Sequence, residues 1–379
     1  MKRLGIHADL VYRFDGRAYS ADRAFVKFVT ALPPRVEEVV LFGRLDPERG
    51  RFPYELPPTG VRFVPLPHYP SVRAAGAVAR ALRASVGVVE RELPSLDALW
   101  LFGPHPLGVA FARAARRRGV PVLLGVRQDL PAYVRPRTPW ALPAVEVLER
   151  IWRRLARRAP AIVVGDDLAR KYAGGAPVLS TGFSLISPAE LVPLETALAR
   201  DWSGPLRLLT VGRLSPEKNP TLLAEIVARL DERWRLEVVG EGPLRGVVEG
   251  QLRELGIADR VTLAGYVPNG PELWERYRAA HAFLHVSHTE GIPQVIFEAQ
   301  ASGLPVVATD VGGVRDAVRD TALLVPPDDA AAAASAVERL REDEELRRGL
   351  TERGLEHARE NTLDAQLDKL AEFLRQQFG

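Results

Sequence analysis

The sequence predicts an α/β protein of two doubly wound, Rossmann-like domains facing a central cleft. Three observations predict it. The chain has 379 residues, well above one ordinary domain. Short apolar runs alternate with helical patterns along its whole length, as βαβ units on a parallel sheet require. That pattern runs twice, with a break at "STGFSLISPAELVPLE", residues 180–195. The expected division is a domain over 1–190, a second over 191–360 and a terminal helix over 361–379.

In the first half the strand candidates are "RLGIHA", "EEVVLFGR", "VRFVPLP", "ALWLFG", "PVLLGV" and "AIVVG". Helical patterns lie between them at 21–32, 71–92 and 107–119, and a long Arg-rich helix covers roughly 141–158. In the second half the strands are "LRLLTVG", "RLEVVG", "VTLAGY", "AFLHVS", "PVVAT" and "ALLVP", with helices between each pair. The closing "NTLDAQLDKLAEFLRQQF" puts Leu363, Leu367, Leu370 and Leu374 on one helical face, which needs a surface of either domain to cover.

Composition narrows the function. A hydrophobic share of 46% and a charged share of 26% are those of a soluble globular protein. The net charge of +3 is too balanced to argue for nucleic acid. With no Cys, a disulfide, a thiolate zinc site and a cysteine nucleophile are all excluded. "MKRLGIHADLVYRF" lacks the apolar core of a signal peptide, and no apolar run is long enough to span a bilayer. A cytoplasmic location is therefore expected. Of the 51 basic residues only five are lysines, so a lysine inside a motif carries more weight than an arginine.

Doubly wound sheets bind ligands at the carboxyl ends of their strands, so chemistry is sought at the strand-to-helix turns. After "LRLLTVG" the turn "GRLSPEKNP" carries Gly212, Arg213 and Lys218. A guanidinium and an ammonium on one turn suit a phosphate or diphosphate. Either alone reads as a solvated loop charge. Asn219 is expected to cap the following helix, with Pro220 at its first position. "VVGEGPLRG" superficially suggests a dinucleotide fingerprint, but its glycine spacing differs and the next strand ends without an acid for a ribose. It reads as a tight turn into a helix starting at Pro243. The loop "GYVPNGPE", with Val267, exposes backbone groups able to read a base edge.

In "SHTEGIPQVIFEAQASGLPVVATDVGGV", Glu290 lies just before a helix and Glu298 inside it. Pro293 fits the first turn, where the amides of Gln294 and Val295 have no helical partner and favour an anion. Both carboxylates lie in apolar surroundings, so they need hydroxyl or amide donors, which a polyhydroxylated ligand supplies. A capping or ion-pair role for Glu298 accounts for it equally well.

Together, "GRLSPEKN", "VVGEGP", "LAGYVP" and "EGIPQVIFEAQASGLPVVATDVGGV" resemble the C-terminal domain of retaining nucleotide-sugar glycosyltransferases of the GT-B fold, family 4. The resemblance covers roughly residues 200–330, and its hallmark is the E-x7-E pair Glu290 and Glu298. It implies a donor-binding second domain and an acceptor-binding first domain. Arg213 and Lys218 would hold the donor diphosphate and stabilise the leaving group's charge. Glu290 would contact hydroxyls of the transferred sugar and Glu298 the ribose. Backbone at Gly291, Ile292, Gln294 and Val295 would grip sugar and phosphate. The reaction implied is front-face transfer of a hexose-type sugar with retention, to a saccharide, lipid-linked or small-molecule acceptor. No cofactor or metal is implied, and the chain has no D-x-D. The alternatives are a nucleotide-sugar epimerase on the same frame and a non-catalytic sugar-nucleotide binding protein.

The first half departs from that pattern. After its first strand the loop "ADLVYRFDGRAYSADRAF" offers Gly16 but no Gly-Gly pair, and "RQD", Arg127 to Asp129, stands where relatives often carry a His. His105, at another strand end, could line the acceptor site, and His7 is placed similarly; a lone loop His is usually incidental. Asp129 could orient an acceptor hydroxyl or cap the next segment. The helix "EVLERIWRRLARRAP" reads either as a core-packing helix with a solvated basic face or as a peripheral contact with anionic lipid at the inner face of the membrane.

Overall fold

A computed structural model describes residues 1–69, 75–135, 138–182 and 184–379. The chain divides into two compact units, Met1–Leu185 with Gln366–Gly379, and Ile186–Ala365.

Among the described residues the first unit has a nine-stranded sheet: β1 (Arg3–Phe14), β2 (Tyr19–Ala21), β3 (Glu38–Leu45), β4 (Tyr54–Glu55), β5 (Val61–Leu66), β6 (Ala98–Gly103), β7 (Val122–Val126), β8 (Ala161–Val164) and β9 (Val178–Thr181). Its parallel body runs β5-β3-β1-β6-β7-β8-β9. The order reverses between β1 and β6, so the two strand ends diverge there and leave a crevice. Alternate residues face opposite sides of the sheet, and both sides are covered. Leu99, Leu101, Leu124 and Val163 join one apolar cluster, while Trp100, Leu123 and Ile162 are fully buried on the other side.

Several expectations for this half need correction. The first strand does not stop at Ala8. It shifts register after His7, continues to Phe14 and turns back into β2, to which β4 adds. "DG" at 15–16 was the local signal for that hairpin, and β2 and β4 are too short to show periodicity. The helix expected at 21–32 covers only Phe25–Thr30, because β2 takes Tyr19–Ala21. Residues 71–74 of the helix expected at 71–92 lie outside the described residues, and the described part is Ala75–Glu92. Ser180 and Thr181, read as the start of the break, are paired in β9.

The second unit has a six-stranded parallel sheet: β10 (Leu206–Val211), β11 (Trp234–Val239), β12 (Val261–Gly265), β13 (Ala282–His285), β14 (Val306–Thr309) and β15 (Ala322–Val325). Its order is β12-β11-β10-β13-β14-β15, and the reversal falls between β10 and β13. Leu208, Leu236, Leu284 and Val307 pack on one side under helices Thr221–Val227 and Ala330–Glu342. Leu209, Phe283 and Val306 pack on the other under helices Pro271–Ala279 and Gln294–Ala301. The terminal helix Leu363–Phe378 buries Leu367, Leu370 and Leu374, and from Gln366 onward it belongs to the first unit.

Candidate functional site

The turn after β10 and the turn after β13 meet at the reversal point of the second sheet. The first is held open by hydrogen bonds to its neighbour: the Gly212 amide donates to Val239 O at 2.9 Å and the Leu214 amide to Glu241 O at 3.0 Å. Gly240 must be glycine, since a Cβ there would stand 1.8 Å from Gly212 O. Two expectations fail here. Asn219 is not the helix cap; it adopts a left-handed conformation, and Pro220 precedes the helix Thr221–Val227. Its side-chain amide donates to Asp328, also left-handed, and His288 Nε2 lies 2.8 Å from the same Asp328 oxygen. This pair ties the turn after β10 to residue 328, and Asn and Asp are the non-glycine residues that adopt this conformation most readily. Pro243 likewise does not begin a helix, because the next one is Arg245–Glu254 and 243 lies in the turn before it.

Glu290 collects the centre of the site on a single oxygen. Lys218 Nζ donates to its Oε1, Ser287 Oγ donates to it at 2.9 Å, and His285 Nε2 lies 3.0 Å away. Burial disfavours the charge, but His285 and Lys218 outweigh it and hold the carboxyl at about 2. Among the described residues no partner reaches Oε2. The backbone of Glu290 is equally fixed. The Gly313 amide donates to its carbonyl at 3.2 Å, and a Cβ on Gly312 would come within 2.1 Å of that oxygen. A cavity of about 20 Å³, room for one water, lies between Gly212, Lys218 and His285.

Arg213 is more exposed and pairs with Glu217 on its own turn at 2.8 Å. Both cations that the sequence singled out thus hold carboxylates. The helix Gln294–Ala301 starts one residue later than expected, with Pro293 extended at its N-cap and no side chain capping it. The amides of Gln294 and Val295 have no partner within the helix. Gly291 is exposed, and Ile292, Gln294 and Val295 are half-buried. Glu298 is buried and accepts from Tyr277 OH at 2.8 Å and from Asn269 Nδ2 at 3.3 Å. The donors anticipated for it are thus supplied in part by the protein. Val267 is buried in the apolar cluster with Val239 and Leu273.

In the first unit the residues are more dispersed. Gly16 lies in the β1–β2 hairpin turn. Arg127 is exposed, with its guanidinium 3.9 Å from the centre of the Phe25 ring. Asp129 caps helix Leu130–Val134 through Ala132 N and pairs with Lys171 at 2.9 Å. Lys171 also pairs with Glu149 at 2.9 Å, and His105 joins a second cluster, at the reversal point between β1 and β6. Its Nε2 lies 3.6 Å from Asp9, which contacts Arg44 Nε at 2.8 Å and accepts from Tyr69 OH at 2.9 Å. His7 is fully buried beside it; burial, then the neighbouring His105 charge, pushes its pKa down to about 3. Asp9, Arg44 and Tyr69, like His285, Ser287 and Tyr277, were not singled out from sequence. The prior signal for most of them was position near a strand end; Tyr277, on the helix Pro271–Ala279, lacked even that.

Two doubly wound sheets, one carrying cations, a fixed carboxylate and an uncapped helix start at its reversal point, define a two-domain α/β architecture of the GT-B type. The comparisons agree. Residues 201–357 match the family described as "Glycosyl transferases group 1", and residues 21–177 match "Glycosyl transferase 4-like domain". A GDP-mannose-dependent alpha-mannosyltransferase of Mycobacterium tuberculosis is 32% identical over 242 residues, 61% of this chain and 60% of that protein. The protein of that name from Mycolicibacterium smegmatis is 30% identical over 294 residues, 72% of this chain and 71% of its own length. The chain therefore spans less than two thirds of the first relative's length. Sucrose-phosphate synthase of Thermosynechococcus elongatus has the same fold, with a TM-score of 0.75 at 21% identity over 100% of this chain and 99% of that one. The chain belongs to the group 1 glycosyl transferase family and has the GT-B fold. Among the described residues no group of three or more metal-ligating side chains is assembled, and no helix is long and apolar enough to cross a membrane.

Proposed function

We propose that the protein transfers a hexose-type sugar from a nucleotide diphosphate sugar to a hydroxyl acceptor, with retention and without a metal. The observation that carries this is the Lys218–Glu290 pair at the reversal point, with Glu290 Oε2 left for a donor. A diphosphate entering at the helix start draws Lys218 and Arg213 from Glu290 and Glu217, exchanging one anion for another. The two cations then stabilise the charge that develops on the leaving diphosphate. Glu290, held anionic, accepts hydroxyls of the transferred sugar. Glu298 accepts a ribose hydroxyl in addition to its protein donors, since a carboxylate offers about four lone-pair positions. The acceptor, a saccharide, a lipid-linked sugar or a small molecule, is assigned to the first unit, where Asp9 and His105 mark the reversal point. The names of two relatives make GDP-mannose the first donor to test.

The test is calorimetric binding of GDP, UDP, ADP and CDP, with their monophosphates and nucleosides, with and without EDTA. One diphosphate should bind more tightly than its monophosphate and ignore EDTA. Lys218→Ala should weaken that diphosphate roughly 10- to 100-fold, the worth of a hydrogen bond to a charged group, and leave the nucleoside unchanged. Equal binding of diphosphate to wild type and variant would remove the assignment of this turn.

A further inference from the structure

We propose that His288 is a positioning residue for the turn that carries Lys218, and that it acts as an imidazolium, a role that rests on Lys218 taking a donor diphosphate. Its ring lies between two turns of the second unit. Nδ1 is 3.0 Å from the carbonyl oxygen of Pro216, in the turn after β10. Nε2 is 2.8 Å from Oδ1 of Asp328, in the turn after β15. A carbonyl and a carboxylate only accept hydrogen bonds, and a neutral imidazole donates from one nitrogen alone. The neutral ring therefore leaves one of these contacts with lone pair facing lone pair. The imidazolium donates to both and adds an ion pair with Asp328.

The contacts fall on both sides of Lys218. His288 holds Pro216 through its ring and Glu217 through its amide, which donates to Glu217 O at 2.9 Å. Asn219 donates to the same Asp328 oxygen that faces the ring. Residues 216, 217 and 219 are thus tied to one pair, His288 and Asp328, while the Lys218 side chain reaches Glu290. His288 also stands two positions before Glu290, so a single ring links the loop of the carboxylate to the turn of its cation. The other charged groups on these turns have partners of their own. Glu217 pairs with Arg213, Lys218 and His285 meet Glu290, and Asp329 accepts from Ala332 N. Asp328 is the charge that faces the ring.

The side chains of His288 and Asp328 are 46% and 64% exposed. The ring therefore exchanges its proton with solvent, and the ion pair is screened. Loss of the second ring hydrogen releases one of the two turns without unfolding either, and Lys218 is then held less firmly for a diphosphate. Diphosphate affinity should fall as rising pH removes that hydrogen. Nucleoside affinity, which does not use Lys218, should not follow.

The experiment has two readouts. NMR of the imidazole nitrogens in the whole chain, with His288→Asn to assign the signal, needs no nucleotide. Both ring nitrogens of His288 should carry hydrogen at the acid end of the range from about pH 5 to about pH 8. A ring with a single hydrogen throughout overturns the proposal. Calorimetry of the diphosphate and its nucleoside at about pH 6 and about pH 8 reads the consequence. His288→Asn keeps an amide donor for Pro216 O and cannot titrate, so it reports the pH dependence of the diphosphate itself and of every other group. Wild type should lose roughly threefold to tenfold more diphosphate affinity over that range than the variant, the worth of one screened hydrogen bond. Equal pH dependence in both proteins, or equal loss of nucleoside and diphosphate, overturns the proposal. Absence of diphosphate binding by wild type at either pH overturns the donor reading, and this role with it, even where both ring hydrogens are seen; the two failures are thereby told apart.

Discussion

Glu290→Gln isolates the electrostatics on which the site depends. The Glu290 side chain is 9% exposed, so solvent screens its contacts weakly. Burial works against its charge, yet His285 and Lys218 hold the carboxyl at about 2, against an ordinary 4.5. A lowered pKa stabilises the folded state above 4.5, and that stabilisation is lost as the pH falls through this range toward 2. The whole interval corresponds to about 3 kcal/mol, of which about 2 kcal/mol is gone by about pH 3. For a unit of this size that is about 4–8 °C in melting temperature. The assay is thermal unfolding of wild type and Glu290→Gln from neutral pH to about pH 3. Wild type should be the more stable at neutral pH, and the gap should close on acidification, other groups cancelling in the difference. A gap that stays constant over this range would mean that Glu290 is not held ionised by these partners, and its role as a fixed acceptor for sugar hydroxyls would lose its basis.

Two further substitutions probe the frame around it. Glu298→Ala removes the carboxylate that the Tyr277 hydroxyl and the Asn269 amide share and should cost about 1–3 kcal/mol by urea unfolding. Added to a Tyr277→Phe background it should cost less, and full additivity would deny the pairing. Gly312→Ala places a Cβ within 2.1 Å of Glu290 O at a φ of 52°. It should destabilise the protein by about 1–3 kcal/mol and weaken diphosphate binding, and unchanged affinity would show that the Glu290 backbone tolerates displacement.

The cationic turn after β10 and the helix that carries Glu298 were legible as structure because their places are set by local backbone. A cation after a strand, or a carboxylate in the first turns of a helix, has its place fixed by neighbours in sequence. What was not legible is who meets whom. Lys218 meets Glu290 across 72 positions. His285 sits inside "AFLHVS", where it reads as a buried strand residue, and only the turn that follows β13 brings Glu290 back over it. Tyr277 is fully buried on a helix and reads as core, although its hydroxyl serves Glu298. In the first unit, Asp9, Arg44, Tyr69 and His105 come from four separate segments, so each looked incidental alone.

The same distinction explains the glycines. "DVGGV" was recognised as part of a pattern, but the pattern does not say why glycine is needed. The reason is a carbonyl supplied by Glu290, more than twenty positions earlier in the chain. Gly240 answers to Gly212 in the same way. These glycines let adjacent strand-end turns touch backbone to backbone, and that contact fixes where Glu290 and Arg213 stand. The charged residues of the site are therefore placed by residues that have no side chain. For that reason a substitution at Gly312 should damage nucleotide binding although Gly312 offers no group to bind it.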